Sequence, residues 1–140
     1  MHQPLIVIVD DDLSFLEFTK DVLEDAGYNV RCCQDMAAAY DVIRTQRPDL
    51  ILLDLHLSKG LRNEGKVLLD LLRATPILAH IPVIICSGDR AFLAAKGERL
   101  QKKGCLVLPK PFELPMLFDL IDRALGSAPK ERSQGERVVP

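Results

Sequence analysis

Five side chains in this sequence carry oxygen or ammonium groups suited to metal and anion chemistry, and each closely follows a short apolar run. Asp10 and Asp11 follow residues 5–9, Asp54 ends the run 50–53, Ser87 follows 81–86, and Lys110 follows 105–108. A carboxylate can act as an oxygen nucleophile and form an aspartyl phosphate. A transferring phosphoryl group needs its charge neutralised and its geometry held. An ammonium and a hydroxyl can each take one of its oxygens. Three carboxylates in one cleft repel one another, by ~4 kcal/mol per pair at about 4 Å and an effective dielectric of about 20. Lys110 offsets one charge. A hard divalent cation offsets two more, and Mg²⁺ suits carboxylates, waters and a phosphate.

These residues meet only if the elements beneath them form one sheet. The runs 5–9, 28–32, 50–53, 81–86 and 105–108 read as strands. The run 50–53 is unbroken Leu-Ile-Leu-Leu, as expected of a strand buried on both faces. Between them lie helical patterns. Phe15, Leu16, Thr19, Val22, Leu23 and Ala26 recur at three- and four-residue steps, with Asp12 to cap the start and Gly27 the end. Asp35 can cap a second helix through Met36, Ala39, Tyr40 and Ile43, which must stop before Pro48. Residues 67–73 and 90–103 give a third and fourth, the latter with Phe92, Leu93 and Leu100 on one face. Residues 113–125 form a clear amphipathic helix, with Pro115 in the first turn, where proline is accepted. Alternating strands and helices predict an α/β fold: a single doubly wound five-stranded parallel sheet with helices on both faces. The order 2-1-3-4-5, which is flavodoxin-like, gathers all five side chains at the carboxyl ends of the strands.

The composition fits one soluble domain. The chain has 140 residues, 48 % apolar and 27 % charged, with a net charge of −2. That balance gives no basic field for nucleic acid, and no apolar run approaches the ~20 residues of a membrane span. The start, Met-His-Gln-Pro, lacks the features of a signal peptide. Cys32, Cys33, Cys86 and Cys105 lack metal-ligand spacing and read as reduced, mostly buried thiols of a cytoplasmic protein. Residues 1–126 are expected to form the domain. Residues 127–140 are polar and aperiodic, and read as a disordered tail or the start of a linker. Taken singly, each site residue also has a plainer role. Acids at 10–12 suit any helix start, Ser87 suits a turn, and Lys110 suits a surface.

Taken together, Val9-Asp10-Asp11, Leu53-Asp54, Ser87 and Lys110-Pro111-Phe112 stand in the order and spacing of a known family. The sequence resembles the receiver domain of two-component response regulators over residues 5–126. The resemblance implies that Asp54 is the phosphoacceptor, charged by a histidine kinase or histidine phosphotransfer protein. Asp11, Asp54 and the backbone carbonyl of His56 would ligate Mg²⁺, with Asp10 acting through water. Lys110 would pair with Asp54 at rest, and Ser87 would close onto the phosphoryl group. The Lys110–Pro111 peptide is typically cis in this family. Such a domain is a switch, not a turnover enzyme: it catalyses only its own phosphorylation and dephosphorylation. Its partners are the phosphodonor and a downstream effector protein or domain, with homodimers through helical faces a common outcome. With only a short tail after residue 126, the chain is expected to be either a stand-alone receiver, slightly favoured, or a piece cut from a larger regulator.

Three departures from the family pattern stand out. Val107 occupies the position usually held by an aromatic residue, which predicts a muted or differently routed output at the face of the fourth helix, fifth strand and last helix. The loop after Asp54 is a few residues longer than usual and carries Lys59 and Arg62, with Lys66 just beyond Gly65. His56 and Asp89 hold the positions that tune phosphoryl lifetime. A rival reading, a small Mg²⁺-dependent phosphatase of the haloacid dehalogenase type, would use Asp10 as nucleophile in its D-x-D spacing. It leaves Asp54 without a role.

Overall fold

Apolar alternation dictates how the sheet is sandwiched. In a computed structural model, which describes residues 3–55 and 64–126, the strands are β1 (Leu5–Val9), β2 (Asn29–Cys33), β3 (Leu50–Asp54), β4 (Val83–Ser87) and β5 (Cys105–Pro109). The helices are α1 (Leu13–Asp25), α2 (Met36–Gln46), α3 (Glu64–Ala74), α4 (Arg90–Lys102) and α5 (Leu114–Leu125). All strand pairs are parallel, in the order β2-β1-β3-β4-β5, as the alternation of elements predicts. Successive strand residues point to opposite faces. Val7, Val9, Ile51, Leu53, Val83 and Ile85 join the core on the α2, α3 and α4 side. Ile6, Ile8, Leu50, Leu52, Ile84 and Cys86 join the core on the α1 and α5 side. The central strands β1, β3 and β4 are thus apolar on both faces, as continuous runs must be.

The helix starts follow the sequence signals. Asp12 and Asp35 accept from the backbone N–H groups of Phe15 and Ala38 at 3.2 and 2.8 Å. Gly27, at φ 100°, turns the chain out of α1 into β2. Several boundaries differ from expectation. β2 lies one residue later, at Asn29–Cys33, because its register with β1 begins at Leu5↔Asn29. β4 begins at Val83, so Pro82 precedes the ladder. α3 begins at Glu64, earlier than its apolar run. The expected face of α4 is only partly buried: Leu100 is inside, Phe92 and Leu93 are half-buried. Arg73 ties the end of this helix to α3. Its Nε donates to the Lys103 carbonyl at 2.8 Å, and its guanidinium reaches the Ile81 carbonyl at 3.0 Å. Cys32 is exposed, whereas Cys33, Cys86 and Cys105 are buried as expected. His56, Lys59, Arg62 and the tail 127–140 lie outside the described residues. No helix among the described residues is long and apolar enough to cross a membrane.

Gly65 fixes where α3 meets the sheet. A Cβ at this position would overlap the Asp54 carbonyl oxygen and the Leu55 Cα. The backbone of α3 therefore rests directly on the end of the strand that carries Asp54. Gly65→Ala is expected to lower stability by about 1–3 kcal/mol, the usual range for overpacking. Urea unfolding of the two proteins checks this; equal midpoints would show that the contact yields freely.

Candidate functional site

Each site residue is placed by a strand end. Asp10 is one residue beyond β1, Asp54 and Ser87 are the last residues of β3 and β4, and Lys110 is one beyond β5. Register makes them neighbours: Asp54 faces Cys86 across β3–β4, and Ser87 faces Pro109 across β4–β5. The Lys110 N–H donates to the Ser87 carbonyl at 2.7 Å, which continues the sheet into the site.

The three carboxylates converge. One oxygen from each of Asp10, Asp11 and Asp54 lies within 4.8 Å of the others. Asp10 is the deepest, with only 2 % of its side chain exposed, against 12 % for Asp54. Lys110 enters between them. Its Nζ donates to Asp10 Oδ2 at 2.6 Å and lies 3.8 Å from Asp54 Oδ2. The ammonium thus bridges two acids, and its tighter partner is Asp10 rather than the Asp54 expected from resemblance. The deeper carboxylate has lost more water and so gains more from a charged donor. Asp10 Oδ1 accepts from the Asp12 N–H at 2.9 Å, so both oxygens are occupied.

These contacts set the charge state of Lys110. Burial pushes its pKa down, but the Asp10 hydrogen bond and the charges of Asp10 and Asp54 outweigh that, and the net shift is upward. Beside it, burial pushes the Cys86 thiol up to about 12, with Lys110 opposing and Asp10 and Asp54 adding to the shift. Cys86 is therefore an inert core thiol, not a second nucleophile.

Ser87 is 1 % exposed, and its Oγ accepts from the Asp89 N–H at 3.0 Å. Asp89 in turn caps α4, accepting from the Phe92 N–H at 2.9 Å. The position expected to influence phosphoryl lifetime therefore also holds a helix start. The Lys110–Pro111 peptide is cis. Two contacts were not legible in the sequence. The Lys110 ammonium sits over the Phe15 ring at 4.1 Å from its centroid. Phe15 also meets Phe112 edge-on, at 6.1 Å and 89°. Phe15 had the spacing of a core residue, and nothing local marks its approach to Lys110.

A parallel five-stranded sheet in the order 2-1-3-4-5, with an acidic cluster and a lysine at its carboxyl edge, defines a flavodoxin-like α/β domain. The comparisons with known proteins agree. The response regulator receiver domain model matches residues 6–122, and the chain belongs to that family. The polar-differentiation response regulator DivK of Brucella anthropi is 32 % identical over 126 residues, covering 88 % of this chain and 97 % of DivK. The nitrogen assimilation regulatory protein NtrX of Azorhizobium caulinodans is 32 % identical over 120 residues. That match covers 86 % of this chain but 26 % of NtrX. Among solved structures, the receiver domain of the Francisella response regulator 1452 superposes with a TM-score of 0.77 at 29 % identity. It covers 91 % of this chain and 100 % of that one.

Two outcomes follow from the charges and burial. Alkylation of the native protein is expected to modify Cys32 first and to leave Cys86 untouched until unfolding; peptide mass mapping reads this, and early labelling of Cys86 would contradict its burial. Lys110 has a folded pKa above its ordinary value of 10.5. Its stabilising contribution is therefore complete below that value and is lost as pH rises through the higher folded value. The stability advantage of wild type over Lys110→Met should hold near pH 9 and shrink from about pH 10.5 upward. Urea midpoints across that range test it, and an advantage that grows with pH would reverse the sign.

Proposed function

We propose that this chain is a phosphorylation-dependent switch in two-component or phosphorelay signalling, with Asp54 as phosphoacceptor. The observation that carries the reading is the Lys110 ammonium held between Asp10 and Asp54 in a cluster of three carboxylates. Asp54 is the more exposed end of that ion-paired bridge, so an incoming phosphoryl group can reach it. An Asp54 oxygen would bond to phosphorus as the donor's bond to phosphorus breaks and the leaving group departs with its electron pair. The family membership supports a histidine kinase or histidine phosphotransfer protein as donor. The signal would pass to a downstream effector protein or domain, without direct nucleic-acid or membrane contact, in the cytoplasm. A homodimer through a helical face is a further expected state. The chain would catalyse only its own phosphorylation and dephosphorylation.

The donor set fits Mg²⁺. One oxygen from each of three hard carboxylates, Asp10, Asp11 and Asp54, lies within 4.8 Å of the others, the donor chemistry that a hard divalent cation takes. Asp11 and Asp54 would hold it, with the His56 carbonyl as an additional ligand and Asp10 one water away. When bound, the ion neutralises charge on the phosphoryl oxygens. Lys110 and the Ser87 hydroxyl would bind the remaining oxygens, while the buried sheet beneath keeps water from the rear of the site.

The rival phosphatase reading loses its nucleophile. Asp10 is almost fully buried, and both its oxygens are engaged, by Lys110 and by the Asp12 N–H. Intact mass after incubation with acetyl phosphate and Mg²⁺ tests the proposal. Wild type should gain one phosphoryl group, EDTA should suppress the gain, and Asp54→Asn should gain none. Labelling of Asp54→Asn but not of Asp10→Asn would transfer the role to Asp10 and overturn the assignment.

A further inference from the structure

We propose that Phe15 is a positioning residue for Lys110, holding its ammonium group between Asp10 and Asp54 as a phosphoryl group moves onto Asp54. The proposal rests on the phosphoacceptor reading above. Lysine is a flexible stem with a strongly hydrated head. Here the head is fixed from two directions. Asp10 Oδ2 takes one donor at 2.6 Å, and the face of the Phe15 ring lies under the ammonium, 4.1 Å from Nζ to the centroid. Attraction to an aromatic face comes from the ring quadrupole and needs no particular N–H to point at it. The ammonium can therefore pivot from Asp10 toward a phosphoryl oxygen at Asp54 without leaving the ring. A carboxylate alone would tether it to one end of that arc.

The platform is itself held. Phe15 sits in the first turn of α1, where its N–H is capped by Asp12 at 3.2 Å. The Phe112 ring stands perpendicular to it at 6.1 Å, a favoured aromatic geometry. Phe112 lies two residues after Lys110, so the segment that delivers the ammonium also delivers the ring that steadies its platform. The plainer alternative is that Phe15 only fills space, since it also packs on the α1 and α5 core. A leucine would then serve as well.

The test measures the rate of Asp54 phosphorylation by acetyl phosphate with Mg²⁺ in the full chain. In that reaction the Asp54 oxygen–phosphorus bond forms, the acetyl oxygen–phosphorus bond breaks, and acetate leaves with the electron pair. Phe15→Leu should slow the reaction by about 3- to 10-fold, the scale of a lost cation–π contact. Phe15→Tyr, which keeps the ring face, should restore the rate. The Lys110 Hε resonances should be shifted upfield by the ring in wild type and Phe15→Tyr, and relax downfield in Phe15→Leu. Thermal melts monitor folding, and Phe15→Met replaces the leucine variant if that one does not fold. A leucine or methionine variant as fast as wild type would overturn the proposal. So would equal slowing of the leucine and tyrosine variants with no change at Lys110. If wild type itself takes up no phosphoryl group, the phosphoacceptor reading fails and this inference fails with it.

Discussion

Three like charges held within 4.8 Å of one another are the constraint on which this molecule is built. Left to itself the cluster would push β1 and β3 apart at their carboxyl ends. Two things oppose that. The strands beneath are buried on both faces, and separating them would expose Val7, Val9, Leu52 and Leu53 to water. The Lys110 ammonium then neutralises the deepest carboxylate, and it arrives on β5, two strands away from β3 in the sheet. The site is therefore closed from the strand most distant in sequence from β1, so Asp10 gains this counter-charge only when β5 has joined the sheet. Removing the lysine leaves a buried acid without its counter-charge, which is the costly way to break such a pair.

The two cores are unequal partners in this arrangement. On the α1 and α5 side, Leu16, Leu23, Leu117 and Ile121 pack against the even-numbered strand residues, and the aromatic pair Phe15 and Phe112 closes the top next to the site. On the other side α3 buries Gly65, Leu68, Leu69 and Leu72, α2 buries Ala39 and Ile43, and α4 contributes a single fully buried residue, Leu100. Val107, at the position where receivers commonly carry an aromatic residue, is partly buried against this same core, as are Phe92 and Leu93. The α4 helix is joined to Ser87 through the Asp89 cap. It rests on β5 and on the Arg73 clasp.

The fold was legible because its signals are local. Each strand is an apolar run ended by a charge or a turn, and the acids at 12 and 35 announce the helices that they cap. Strand ends such as Asn29 and Val83 were displaced by one or two residues, because hydrogen-bond register, not hydropathy, sets where a ladder begins. The face of α4 was overread for a related reason. Phe92, Leu93 and Leu100 have helical spacing, but the helix lies at the margin of the sheet where little remains to cover. The site residues were legible from type and position at strand ends. Their pairing was not: whether Lys110 prefers Asp10 or Asp54 depends on relative burial, and its contact with Phe15 depends on two distant segments meeting.

Gly65 separates two properties that are usually linked, the position of a helix and the length of the chain that leads to it. Because its bare Cα lets α3 rest on the backbone of Asp54 and Leu55, the helix is anchored to β3 from its own first turn. Lengthening the connection between them then changes only the entropy of a closed loop, which grows slowly with residue number. The side chains at the strand ends, Asp10, Asp54, Ser87 and Lys110, are thereby indifferent to how long that connection is.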